Sequence, residues 1–140
     1  MHQSKTTLAA LTNWRTRHQA CKITLIRGNH DDSAGDPPCS LAIDVVDEPF
    51  EFASIACCHD PETTESRTDA CAMSGHIHPV AVIYGKARER LRLPCFVVGT
   101  RQMILPAYGA FTGGHLYKPA TGETLYLIAG QSVIKLPAGR

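Results

Sequence analysis

Apolar and polar positions alternate in short runs along most of this chain, and only the first run has helical spacing. Leu8, Leu11, Trp14 and His18 recur at intervals of three or four, which predicts one amphipathic helix over residues 6–18. Thr6 or Thr7 is placed to cap its start, and Arg15, Arg17 and His18 suit its C-terminal end, where the peptide dipole is negative. Beyond it the apolar runs shorten to strand length. Residues 22–27, 41–46, 50–58, 70–73, 80–84, 93–98, 103–105, 115–118, 124–128 and 132–136 are predicted strands. Residues 31–39 carry Asp-Asp-Ser-Ala-Gly-Asp-Pro-Pro, which predicts a loop, and Asp47-Glu48-Pro49 predicts a turn. Residues 62–69 are polar and expected to be exposed. Residues 86–92, with Lys86, Arg88, Arg90 and Arg92, read as a solvated turn. With no repeat, low-complexity tract or linker, the pattern predicts a single α/β domain over residues 1–140.

Three polar groups stand just past apolar runs. Gly28-Asn29-His30-Asp31 follows the first predicted strand, His59-Asp60-Pro61 the third, and Gly75-His76-Ile77-His78-Pro79 the fourth. Polar residues at strand ends are where α/β architectures gather their sites. His76 and His78 would point the same way from a strand, since side chains alternate there, and would converge on metal from a loop. Imidazole is the commonest metal ligand near neutral pH. The side-chain carbonyl of Asn29 can ligate a hard or borderline cation. Asp31 beside His30 can fix the tautomer of the ring and raise its basicity, which suits a general acid. Taken singly, each group also reads as an ordinary turn or an exposed histidine. Their recurrence at three strand ends is what points to a site.

Composition narrows the alternatives. The 140 residues suffice for one domain with a real core, and 44% hydrophobic with 19% charged residues is ordinary for a globular protein. A net charge of +1 gives no overall field toward nucleic acid or membrane, so an acidic substrate must be held by a local site. Arg88, Arg90, Arg92 and Arg101 offer a local phosphate-attracting strip or a solvated surface. No apolar run approaches the roughly 20 residues that cross a bilayer. Residues 1–20 carry no signal pattern, and the protein is expected to be cytoplasmic. The six cysteines form no Cys-x-x-Cys pair and are expected to be reduced, most of them buried.

Gly28-Asn29-His30-Asp31, then a histidine after a strand, then Gly75-His76-Ile77-His78, resembles the calcineurin-like metallophosphoesterase superfamily in motif order. Asp36-Pro37-Pro38, His59-Asp60-Pro61, Leu93-Pro94-Cys95-Phe96 and the stretch from Leu105-Pro106 to Gly113-Gly114 resemble, more narrowly, the bacterial ligase-associated DNA damage response endonuclease (PdeM) family. The resemblance implies a metallophosphoesterase-type β-sandwich flanked by helices. It implies a phosphodiesterase or endonuclease using a hydroxide activated by two metals, most simply Mn²⁺. It makes Asn29, His59 and His76 ligands of one metal, His78 a ligand of the other, and His30 the general acid oriented by Asp31. It also implies a phosphodiester substrate such as DNA, and DNA ligase and helicase repair proteins as partners.

The superfamily pattern opens with an Asp-x-His segment and a Gly-Asp segment whose aspartate bridges the metals. Neither occurs before Gly28, and no aspartate precedes Asp31. Three readings follow: an N-terminally shortened chain, ligands supplied by a partner chain, or a relative that binds metal or partners without catalysing. The first predicts a weakly stable, nearly inactive product.

Overall fold

The computed structural model describes residues 5–64, 71–85, 89–109 and 112–137 of the chain. The fold is sheet-dominated mixed α/β, and it divides into two compact units, Met1–Glu48 and Pro49–Arg140.

The first unit runs α1 (Lys5–Arg17), β1 (Thr24–Ile26), a short helical turn α2 (Asp31–Ala34), a 3₁₀ turn (Cys39–Leu41) and β2 (Asp44–Val46). β1 and β2 pair in parallel, with Thr24 opposite Asp44 and Ile26 opposite Val46. The helix begins at Lys5, so Thr6 and Thr7 lie inside it rather than capping it. Its apolar stripe is not buried: Leu11 and Trp14 are each 37% exposed. Arg15 ties the helix to the 3₁₀ turn, donating from Nε to the Leu41 carbonyl (2.7 Å) and from Nη2 to that of Ala42 (3.3 Å). The loop expected over residues 31–39 instead starts with the helical turn. That turn closes at Gly35, whose φ of 77° lies where glycine alone is unstrained. The strand expected over 41–46 keeps only its second half, because Leu41 ends the 3₁₀ turn and Ala42 is left-handed.

The second unit holds β3 (Phe50–Phe52), β4 (Ile55–Cys58), a 3₁₀ turn (Pro61–Thr64), β5 (Cys71–Ser74), β6 (Pro79–Tyr84), β7 (Arg90–Val98), β8 (Gln102–Ile104), β9 (His115–Leu116), β10 (Thr124–Ala129) and β11 (Ser132–Lys135). They form a nine-stranded sheet in the order β11-β10-β7-β8-β5-β4-β3, with β6 joined to β7 and β9. β4, β5 and β8 run parallel to one another. The predicted strand over 50–58 is broken. Ala53 and Ser54 sit at φ 47° and 68°, and the chain doubles back as an antiparallel hairpin. β7 changes partners along its length: Arg90 to Pro94 pair with β6, and Cys95 to Val98 with β10. Pro94 has no N–H to donate, which suits the place where one ladder gives way to the next.

The core of this unit is formed by Ala81, Cys95, Val97, Ile104, Leu125 and Leu127. Residues 90–92, expected in a turn, belong to β7, and Thr64 is buried rather than exposed. The expectations for residues 65–70 and 86–88 lie outside the described residues. All six cysteines are free, as expected, but only Cys58 and Cys95 are buried. Cys21, Cys39 and Cys71 are exposed, because they fall on loops and a strand start rather than on inward positions. Among the described residues no helix is long and apolar enough to cross a membrane.

Burial pushes the Cys95 thiol up from 9.0 to about 11. Burial, reinforced by the Glu123 carboxylate, pushes the Tyr117 hydroxyl from 10.0 to about 12. Both folded values lie above the unfolded ones. The stability these groups contribute is therefore complete below pH 9 and is lost as pH rises through the folded values. At about 1.4 kcal/mol per pH unit, Cys95 accounts for a fall of about 2–3 kcal/mol between pH 9 and 11. Urea midpoints measured at pH 8 and 11 check this, and Cys95→Val is expected to flatten the decline over that interval.

Candidate functional site

In the first unit, Arg27 staples the loop that carries Gly28-Asn29-His30-Asp31. Its N–H donates to the Val46 carbonyl (2.9 Å), and its guanidinium forms a fork on Asp36 (2.9 and 2.8 Å) and reaches Asp47 (2.6 Å). The Arg27 side-chain bond holds the Asp36 carboxyl below its ordinary value. Within the loop the Asp31 amide donates to the Gly28 carbonyl (2.9 Å), and Asp31 Oδ2 accepts the Gly28 amide (2.8 Å). This closed turn presents Asn29 and His30 at the surface, immediately after β1.

In the second unit, β4 and β5 are parallel neighbours with Cys58 opposite Ser74, so their C-terminal ends lie side by side. The Gly75 amide donates to the His59 carbonyl (3.1 Å), which fixes the two following loops together. His59 Nε2 and His76 Nδ1 stand 2.8 Å apart, their rings edge to face at 4.7 Å. His78 turns elsewhere. Its Nδ1 lies 3.2 Å from the Thr112 carbonyl oxygen. A carbonyl only accepts, so this Nδ1 is the donor, and Nε2 is the nitrogen the contact leaves open.

The segment between β5 and β6 is a loop, which settles the strand-or-loop alternative for His76 and His78. Both histidines are left-handed, at φ 60° and 52°. The Ile77 amide donates back to the Gly75 carbonyl (2.7 Å), so His76 is the centre of a γ-turn of the rare, strained hand. Strain of this kind costs on the order of 1–3 kcal/mol per residue and clusters at functional sites.

These residues bear on metal binding as follows. The His59 and His76 nitrogens, 2.8 Å apart, are at hydrogen-bond distance, and once the shared proton is lost both would be nitrogen donors within reach of one cation. His78, held through Nδ1 by a carbonyl with Nε2 left to ligate, has the arrangement usual for a metal-binding imidazole. Among the described residues, no group of three or more His, Cys, Asp or Glu side chains comes together around one point. The described residues thus bring two imidazole nitrogens together at His59 and His76 and leave His78 in a separate environment.

Sequence reasoning passed over the wall opposite His76. β9 pairs with β6 in parallel, Pro79 opposite His115, and the His115 amide donates to the His78 carbonyl (2.9 Å). A cavity of about 660 Å³ opens there, lined by His76, Ile77, His115, Leu116, Tyr117 and Lys118. The Gly113-Gly114 pair was the available signal. A Cβ on Gly114 would overlap Cγ1 of Val80, which is 7% exposed. Gly114→Ala is therefore expected to cost about 1–3 kcal/mol by overpacking and to shift β9 from the loop carrying His78. Thermal melts measure the first effect, and loss of the His115–His78 amide protection in hydrogen exchange the second. Of the arginine strip, Arg92 is occupied in structure, donating to the Gly114 carbonyl. Arg90 and Arg101 are exposed, and Arg88 lies outside the described residues.

Two imidazoles thus meet past the C-terminal ends of the parallel neighbours β4 and β5, with a cavity beside them. No protein-family model and no curated protein matches the chain. Among solved structures it is similar to the crystal structure of Pseudomonas putida nuclease MPE, with 47% identity, a TM-score of 0.80 and 95% of this chain covered. The chain spans 62% of the length of that nuclease.

Proposed function

We propose that this chain carries the histidine cluster of a metal-dependent phosphoesterase of the nuclease type, within the calcineurin-like superfamily and its PdeM branch. The observation that supports this best is the His59–His76 pair, two ring nitrogens 2.8 Å apart on adjoining strand ends, in a fold shared with a nuclease. In this reading His59 and His76, with Asn29 from the Gly28-Asn29-His30-Asp31 turn, hold one cation. His78 serves a second through Nε2, and Mn²⁺ is the proposed ion. When bound, the cations supply a nucleophile at neutral pH and offset charge developing on the phosphoryl oxygens. His30 gives its proton to the leaving oxygen, and Asp31 holds the turn that presents it. The substrate is a phosphodiester such as DNA, and DNA ligase and helicase repair proteins are proposed partners.

A second reading shares that support. The His59–His76 pair suits equally a chain that binds metal or partners without turnover. Mn²⁺ binding followed by electron paramagnetic resonance tests the shared part. One tightly bound ion is expected, with at least tenfold weaker binding in His59→Ala and His76→Ala. Equal binding in the double variant would end both readings. Hydrolysis of bis-p-nitrophenyl phosphate that disappears on chelation would decide for the enzyme.

A further inference from the structure

Resting on the phosphoesterase reading, we propose that the cavity beside His76 is the subsite for the nucleotide flanking the scissile phosphodiester. Lys118 and His115 would hold its phosphate, and Leu116 and Tyr117 would lie against its base.

Four observations carry this. At about 660 Å³ the cavity is of the size that holds a small organic ligand and exceeds what one phosphate group needs. Its lining divides by chemistry: His76, His115 and Lys118 bring nitrogen donors, and Ile77, Leu116 and Tyr117 bring apolar and aromatic surface. No carboxylate is among these residues. The nearby Glu123 is committed elsewhere, accepting the Tyr117 hydroxyl (3.1 and 3.2 Å) and the Ala120 amide (2.7 Å). Lys118 forms no ion pair among the described residues, so its charge is left for a ligand.

The wall is also held in place. The amides of His115 and Tyr117 donate to the carbonyls of His78 and Val80, each at 2.9 Å. A second cavity, of about 640 Å³, shares Leu116, Tyr117 and Lys118 with the first. Two adjoining nucleotide-sized spaces along one strand suit a chain of nucleotides better than a lone one. With a net charge of only +1, such a strand must be held by a local cation rather than by an overall field.

Fluorescence anisotropy of the full chain with a labelled twelve-residue oligothymidylate, in EDTA, isolates this contribution from metal and from hydrolysis. Lys118→Gln is expected to weaken binding about 5–10-fold near 0.1 M salt and to lower the salt slope by about one. Lys118→Arg should keep both, and Lys22→Gln, at an ion pair with Asp44, should change neither. Unchanged affinity in Lys118→Gln, or weaker binding with an unchanged salt slope, overturns the proposal. Displacement of the oligonucleotide by inorganic phosphate at equal phosphate concentration also overturns it, since the site would then be a simple anion site. The two readings fail separately: the oligonucleotide result can stand with no hydrolysis, and hydrolysis of bis-p-nitrophenyl phosphate without oligonucleotide binding removes only this subsite.

Discussion

On the phosphoesterase reading, placing a segment with an Asp-x-His and a Gly-Asp sequence before this chain is expected to raise Mn²⁺-dependent hydrolysis of bis-p-nitrophenyl phosphate roughly 10³-fold. The reason is the donor count. On the proposed assignment His59 and His76, whose ring nitrogens stand 2.8 Å apart, would give one cation two adjoining ligands, and His78, held at the Thr112 carbonyl, would give another a single one. A metal pair offsets several kcal/mol of charge in the transition state, and each 1.36 kcal/mol forgone is a factor of ten. Initial rates of the two chains at saturating Mn²⁺ measure the ratio, and His76→Ala should return the extended chain to the level of the short one. Equal rates in the short and extended chains would mean that these 140 residues suffice for catalysis, and the ligand assignment would have to be redrawn.

Leu127→Ala is expected to cost about 2–5 kcal/mol, the range for removing a buried leucine side chain. Leu127 is 2% exposed and lies on β10 between Cys95 of β7 and Ile134 of β11. Against a total stability of about 5–15 kcal/mol, this is a substantial share, and it lowers the urea midpoint accordingly. Its cross-strand neighbour gives the control. Ile134 is 51% exposed, so truncating it to alanine should cost less than about 1 kcal/mol. Urea unfolding of both variants, read at equal slope, makes the comparison. Similar losses at the two positions would show that the face of β10 bearing Leu125 and Leu127 is not the one that faces the core.

The strand-rich character of the second half was legible because alternation survives in its sequence, as in Cys95 and Val97 inward with Phe96 between them. The break in residues 50–58 was not, because Ala53 and Ser54 turn the chain without glycine or proline, the residues that announce turns. The single turn over Asp31–Ala34 was hidden for the opposite reason: its composition is that of a loop, and what makes it helical are the bonds from the Ala34 and Gly35 amides to the His30 and Asp31 carbonyls. That β7 serves three partners, β6, β10 and β8, could not be read from its own periodicity, since register is settled by neighbours. At the site, the histidine pattern pointed to strand ends, and the structure brings His59 and His76 together. The separate environment of His78 depends on the Thr112 carbonyl, contributed by a segment 34 residues further on. The cavity at β9 is signalled in the sequence only by Gly113-Gly114, and packing reveals the rest.

The left-handed backbone at His76 and His78 sets folding against chemistry at two neighbouring positions. Glycine would adopt either conformation without strain. A screen of random variants scored only on thermal survival should therefore enrich glycine at both places, and the improved proteins would be the ones that had lost their imidazoles. Scored on Mn²⁺ retention, the same library should keep histidine and accept the lower melting temperature.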